Sequence, residues 1–281
     1  MMTKPAMKIG VFDSGIGGLM IAGSIMNAMP DLDIVYCGDT LHLPYGSRST
    51  EAITEYTRRG IEFLFKQNCQ IVIVACNTAS AAALRSIQQN YLSSSPYVNR
   101  RVLGVVVPTL EAAIDHGYKR LGLIATNYIV RTGIYREELQ KINPSIEIVQ
   151  QATPLLVPLI ENEGMAWVDD VLNTYLSPMV EQGVDSLLLG CTHYVYLKSR
   201  VQSIVGDDVK ILSQDDVIPA KLSDYLRRHS EHNDKVGRSG QRDFFLTDIT
   251  DTYTRASAEL FQKTINFKNA LDHGYDARIS S

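Results

Sequence analysis

The feature that most constrains this chain is an apolar run that ends on a cysteine and then turns into hydroxyl and amide side chains. It occurs twice, as VIVACNTASAA (72–82) and as SLLLGCTHYVY (186–196). Short continuous apolar runs suit strands buried on both faces, which implies a parallel sheet covered by helices. KIGVF (8–12), DIVYC (33–37) and QIVIVA (70–75) read as further strands of this kind, and 17–28 and 50–67 as the helices between them. In the second helix Ile53, Tyr56, Gly60, Phe63 and Leu64 share one face, with Ser49 or Thr50 as the N-cap.

The pattern then restarts. LGLIATN (121–127) echoes IGVFDSG (9–15) at an offset of 112 positions, and DSLLLGCTH (185–193) echoes QIVIVACNT (70–78) at an offset of 115. Two features at nearly one offset predict a duplicated α/β unit. With 281 residues the chain is too long for one ordinary core. The expected architecture is α/β, with two pseudo-symmetric domains, each a mainly parallel sheet flanked by helices, and a site in the cleft between them. The boundaries fall near Gly104–Pro108 and near 212–216, so that 1–105 and 213–281 form a discontinuous first domain and 106–212 the second. In the C-terminal segment a helix is expected at about 216–228, a solvated polar loop at 227–243, a strand at 243–247, a helix at 250–262 and a partly frayed tail at 264–281.

Composition excludes several classes. A net charge of −4 leaves no basic footprint for nucleic acid or a membrane surface, and no apolar run approaches the length of a membrane span. MMTKPAMKIGVFDSG has no apolar signal region, so a cytoplasmic location is expected, where Cys37, Cys69, Cys76 and Cys191 stay reduced. No CxxC occurs and CTH lacks zinc-ligand spacing, so no metal is expected.

In open α/β sheets ligands bind beyond the carboxyl ends of the strands. Those positions hold Asp13–Ser14, Gly38–Asp39, Cys76–Asn77–Thr78, Thr126–Asn127 and Cys191–Thr192–His193. Each has a plain alternative. DSGIGG lacks both GxGxxG spacing and a Walker lysine, and reads better as a turn seating a helix close to the sheet than as a phosphate loop. Asp13 could cap that helix, His193 could be a hydrogen-bonded structural residue, and Cys37 and Cys69 read as inert core. Two thiols in matched settings are harder to dismiss. A helix N-terminus would favour the thiolate and bring its pKa down toward neutrality. Opposed thiols suit proton removal from one face of a stereogenic carbon and return on the other, without a cofactor. Ser14, Asn77, Thr78 and Thr192 would hold carboxylates.

IGVFDSGIGGL, YCGDTLHLPYGSRS, VIVACNTASAAAL, GVVVPTLEAA, TNYIVRTGIYREEL, PLLVPLIENEG and LLLGCTHYVYL together resemble glutamate racemases of the cofactor-independent aspartate/glutamate racemase superfamily, across most of the chain. The resemblance implies interconversion of L- and D-glutamate, supplying D-glutamate for peptidoglycan. It implies that Cys76 acts on the D-enantiomer with help from Asp13, and Cys191 on the L-enantiomer with help from His193 and Glu161. Substrate contacts carry over to Asp13, Ser14, Tyr45, Gly46, Asn77, Thr78, Thr192 and His193. PLIENEG is one residue longer than the usual run, so Glu161 and Glu163 compete for one role, with Glu161 favoured because it follows PLI directly. Val195 stands where the family commonly has proline, and 213–243 matches poorly. The nearest rival is an aspartate or broad-specificity racemase of the same superfamily. A related decarboxylase needs only one thiol, and a non-catalytic two-lobed amino-acid-binding protein would share only the architecture. A homodimer is compatible with the resemblance.

Overall fold

Ten strands pair in parallel throughout the computed structural model, which describes residues 6–261 and 264–277. They are β1 (Lys8–Asp13), β2 (Ile34–Gly38), β3 (Cys69–Val74), β4 (Arg101–Gly104), β5 (Arg120–Ala125), β6 (Glu147–Ala152), β7 (Ser186–Gly190), β8 (Lys210–Leu212), β9 (Arg242–Leu246) and β10 (Lys268–Asn269). Parallel neighbours cannot be joined by tight hairpins, so helices carry the crossovers and cover both faces. β2, β3 and β7 are buried along their whole length, as their unbroken apolar runs require.

Two sheets result, ordered β10-β9-β2-β1-β3-β4 and β6-β5-β7-β8. The order β2-β1-β3-β4 of the first is repeated by β6-β5-β7-β8 in the second. The strand pairs linked by sequence, β1 with β5 and β3 with β7, occupy equivalent places. In each sheet the winding direction reverses between those two strands, which opens a crevice at their carboxyl ends.

Local chemistry explains the elements that frame this crevice. The Thr50–Lys66 helix is capped by Ser49, whose Oγ accepts from the Ala52 N–H at 3.2 Å. Gly60 lets this helix lie directly on β1, since a Cβ there would stand 2.0 Å from the Phe12 ring.

The C-terminal segment differs from expectation in two places. β9 pairs with β2, and β10 with β9, so the tail expected to fray is built into the first sheet, with Ala270 and Tyr275 buried. The reason is aromatic: Phe63 meets Phe245 at 5.2 Å and Tyr275 at 5.8 Å. Residues 278–281 lie outside the described residues. The polar stretch 227–243 is not simply a solvated loop either. It begins inside the Gln214–Arg228 helix and adds a short helix at Ser230–Asn233. His232 is buried against Gln70, and Asp33 accepts from the Ser239 and Gln241 N–H groups and the Ser239 hydroxyl. Part of its polarity therefore serves the buried residues Gln70 and Asp33, while most of the rest is exposed. β6, EIVQQA, is a half-exposed edge strand without the continuous apolar run that marks the others.

Candidate active site

Cys76 follows β3 and caps the Asn77–Ser86 helix, its Sγ accepting from the Ala79 N–H at 3.4 Å. Cys191 follows β7 in the other sheet and opens a 3-10 turn, Thr192–Leu197, rather than an α-helix. Both thiols line one cavity of about 580 Å³. The first sheet contributes Ser14, Asn77 and Thr78, joined by Tyr45 and Gly46 from the 3-10 turn Tyr45–Ser47 after β2, and the second contributes Thr192, His193 and Glu161. Asp13 does not line this space; it is fully buried behind Ser14. A larger hollow of about 720 Å³ lies elsewhere, among Arg85, Glu111, Lys221 and Arg228, and its walls carry neither thiol nor histidine.

On the Cys191 side a thiol, an imidazole and a carboxylate stand in line. His193 Nδ1 lies 3.8 Å from Cys191 Sγ, and its Nε2 lies 2.8 Å from Glu161 Oε1. Burial opposes the charged ring, but the hydrogen bonds to Cys191 and Glu161 and the Glu161 charge outweigh it and hold the His193 pKa well above its ordinary value. A proton on Nε2 is placed to be donated to the Glu161 carboxylate. Of the two competing glutamates, only Glu161 reaches this ring; Glu163 is 82% exposed in its side chain and faces Arg255 at 3.4 Å.

The Cys76 side is different. The expected fall of a helix-terminal thiol toward neutral pKa does not occur; Cys76 is pushed up to about 12. Burial is the main cause and the Asp13 charge the next, and the Ser14 side chain and the Ala79 N–H offset them only in part. Burial likewise raises the Asp13 carboxyl, against the nearby His193 charge and the N–H groups of Gly15 and Gly18. Asp13 Oδ2 accepts from the Gly15 N–H at 3.0 Å and Oδ1 from the Thr192 hydroxyl at 3.3 Å. It thus ties the glycine turn to the opposite wall instead of capping the following helix, which starts at Leu19.

The glycine turn is part of the site. A Cβ at Gly17 would lie 2.6 Å from both His193 Nδ1 and Thr192 Oγ1, and one at Gly18 would lie 2.5 Å from Asp13 Cβ. Gly17 is thus required by the close approach of the opposite wall, and Gly18 by the turn folding back on Asp13.

The sequence model of the Asp/Glu/Hydantoin racemase family matches residues 22–214. This chain belongs to that family. It is 37% identical over 257 residues to a glutamate racemase of Geobacter metallireducens, covering 89% of this chain and 91% of the relative. Among solved structures it resembles a glutamate racemase isoform from Bacillus anthracis, with TM-score 0.83 and 30% identity over 93% of this chain and 96% of that one. A glutamate racemase from Francisella tularensis, determined in complex with D-glutamate, superposes with TM-score 0.82 at 30% identity, again over 93% and 96% of the two chains. The chain is accordingly an amino-acid racemase by family, and racemases are isomerases.

Several lining residues of this racemase stand at positions that no strand-end or motif pattern in the sequence marks. Thr153 and Tyr194 share a hydroxyl contact of 2.6 Å at the cavity wall. Thr153 follows β6, the strand whose pattern was too polar to recognise. Thr250 and Tyr253 come from the C-terminal segment, which reaches the cavity after β9. Thr126, noted at its strand end, bonds Thr78 across the cleft at 3.0 Å. Tyr45 is oriented by Asp39, to which its hydroxyl donates at 2.6 Å.

Proposed function

We propose that the protein interconverts L- and D-glutamate by a cofactor-independent two-base mechanism in which one thiol serves each face of the substrate. The observation that carries the reading is the single cavity with Cys76 on one wall and Cys191 on the other. Each thiol has titratable neighbours suited to acid–base help, buried Asp13 for the first and buried His193 with the partly buried Glu161 for the second. The relatives described above are glutamate racemases, one of them holding D-glutamate.

Starting from L-glutamate, the Cys191 thiolate removes the Cα proton and the C–H electron pair passes into the adjacent carboxylate as an enediolate. The His193 imidazolium stands 3.8 Å from the sulfur that carries the charge before this step. Cys76, a neutral thiol in the buried pocket, gives its proton to the opposite face of Cα, forming D-glutamate and leaving a Cys76 thiolate. The unequal environments suit this division, because one thiol must be charged while the other is protonated. Return to the starting state brings one proton from solvent to the Cys76 thiolate, with Asp13 as the neighbouring carboxyl, and releases one from the Cys191 thiol to solvent, which restores the thiolate beside the protonated His193. The side chains of Ser14, Asn77, Thr78 and Thr192 hold the carboxylates and take up the developing charge. In the cell this reaction would supply D-glutamate for peptidoglycan.

The test is circular dichroism of L-glutamate with the purified, reduced protein and no added cofactor. The signal should decay to zero, and Cys76→Ala and Cys191→Ala should each abolish the decay. An L-aspartate signal that decays while L-glutamate stays unchanged would reject the substrate assignment, and full activity in either variant would reject the mechanism.

A further inference from the structure

Asn77 is 2% exposed and lines the cavity, and its side-chain Nδ2 has no hydrogen-bond partner. Its Oδ1, by contrast, is doubly engaged. The Tyr135 hydroxyl donates to it at 2.5 Å and Gln214 Nε2 donates to it at 3.1 Å. Gln214 Nε2 also lies 3.5 Å from the Tyr135 oxygen, which closes a three-residue cluster. Tyr135 and Gln214 are themselves fully buried. They come from different segments, Tyr135 from the Ile134–Ile142 helix after β5 and Gln214 from the first position of the Gln214–Arg228 helix after β8. Asn77 belongs to the first sheet's side of the cleft, and both of its partners follow strands of the second.

From this geometry we infer that Tyr135 and Gln214 are positioning residues that lock the Asn77 amide with its N–H groups facing the cavity, where they donate to a substrate carboxylate. A carboxamide has one accepting and one donating end, and only their orientation decides which the substrate meets. Two donors converging on Oδ1 fix it. The opposite arrangement would turn both amides, so that Asn77 Nδ2 donated to Gln214 Oε1 and the Asn77 carbonyl oxygen faced the cavity. That would set lone pairs against a bound carboxylate and leave a buried N–H of Gln214 without an acceptor. In the observed arrangement the unused atom of Gln214 is Oε1.

The inference rests on the glutamate racemase reading and specifies its binding side. Because both enantiomers carry the same carboxylates, losing the oriented donor raises KM in both directions, and kcat changes less. Loss of one donor to Asn77 corresponds to about tenfold in affinity. Tyr135→Phe keeps the ring and removes the hydroxyl, so KM for L- and for D-glutamate should each rise about tenfold, with kcat within about threefold. Gln214→Glu replaces the donor with an acceptor and should turn the Asn77 amide over, raising KM further still. If the native arrangement were the opposite one, Gln214→Glu would leave KM unchanged or lower it.

A double-mutant cycle separates positioning from mere support of the fold. In an Asn77→Ala background Tyr135→Phe should add nothing to KM, whereas an independent structural effect would multiply through unchanged. Thermal melting of each variant identifies those that fail to fold, and Tyr135→Phe, which only removes a hydroxyl, then decides the matter. Unaltered KM in folded Tyr135→Phe, or additivity with Asn77→Ala, would overturn the inference. A wild-type protein that does not act on glutamate would instead overturn the reading beneath it.

Discussion

Gly17→Ala tests how tightly the two walls of the cleft are fitted. Gly17 is not among the glycines with positive φ, so alanine meets no backbone strain there and the effect is purely steric. The added methyl would stand 2.6 Å from His193 Nδ1 and from Thr192 Oγ1, and 2.8 Å from His193 Cε1. Ordinary contact begins near 3.4 Å, so about 0.8 Å must be found by moving the ring or the turn that bears it. The ring has little freedom, being held at Nε2 by Glu161 at 2.8 Å and buried on all sides. Overpacking of this kind costs about 1–3 kcal/mol of stability, or several degrees in Tm. A shift approaching 1 Å in a catalytic group costs on the order of 10²-fold in rate. The assay is racemisation followed by circular dichroism from each enantiomer, alongside thermal melting. kcat/KM should fall by about 10²-fold in both directions in a protein that remains folded at the assay temperature. Wild-type rates with an unchanged Tm would refute the close fit, and with it the claim that the glycine turn shapes the His193 side.

Glu161→Gln removes the carboxylate that holds the imidazolium, so the His193 ring should titrate at lower pH by proton NMR and racemisation should slow, while Glu163→Gln, on a solvent-exposed side chain, should leave both unchanged. Since the folded His193 pKa is raised, its stabilising contribution is complete below about pH 6.5 and is lost as pH rises through the folded value. The Tm gap between wild type and Glu161→Gln should therefore be widest near pH 6 and close toward alkaline pH; a gap that widens with pH would contradict the ion pair. Cys76, held up to about 12, should be alkylated slowly by iodoacetamide at pH 7, with a rate at that peptide rising roughly tenfold per pH unit between pH 7 and 9. A flat, fast profile would mean that the thiol is already ionised.

The fold was legible wherever burial on both faces wrote itself into the residues. VIVAC, LLLGC and their upstream partners are unbroken apolar runs, and the near-constant offset between them marked the repeated α/β unit, while the strand order within each sheet came from the structure. β6 was not legible, because an edge strand with one wet side needs no such run, and the tail was not, because its order comes from Phe63 packing on Phe245 and Tyr275. At the site, Cys76, Cys191 and His193 stood at strand ends where the topology collects ligands. Glu161 came from the family resemblance, and its contact with His193 depends on a helix end that no local pattern fixes. The Cys76 environment departs from expectation for a physical reason: a helix terminus offers one N–H at 3.4 Å, and the desolvation of a buried sulfur beside a carboxyl outweighs it. Tyr135 and Gln214 touch Asn77 only after the chain has wound a second sheet.

The central claim is that two thiols act on opposite faces of one carbon, and isotope transfer tests it most directly. L-glutamate is incubated with the protein in D₂O, and both enantiomers are separated and examined by proton NMR during the first few per cent of conversion. The two-thiol account predicts that newly formed D-glutamate carries deuterium at Cα, delivered from the solvent-exchanged Cys76 thiol, while the remaining L-glutamate keeps its hydrogen. D-glutamate that retains the original hydrogen would mean that a single group removes and returns the proton, and would contradict the account.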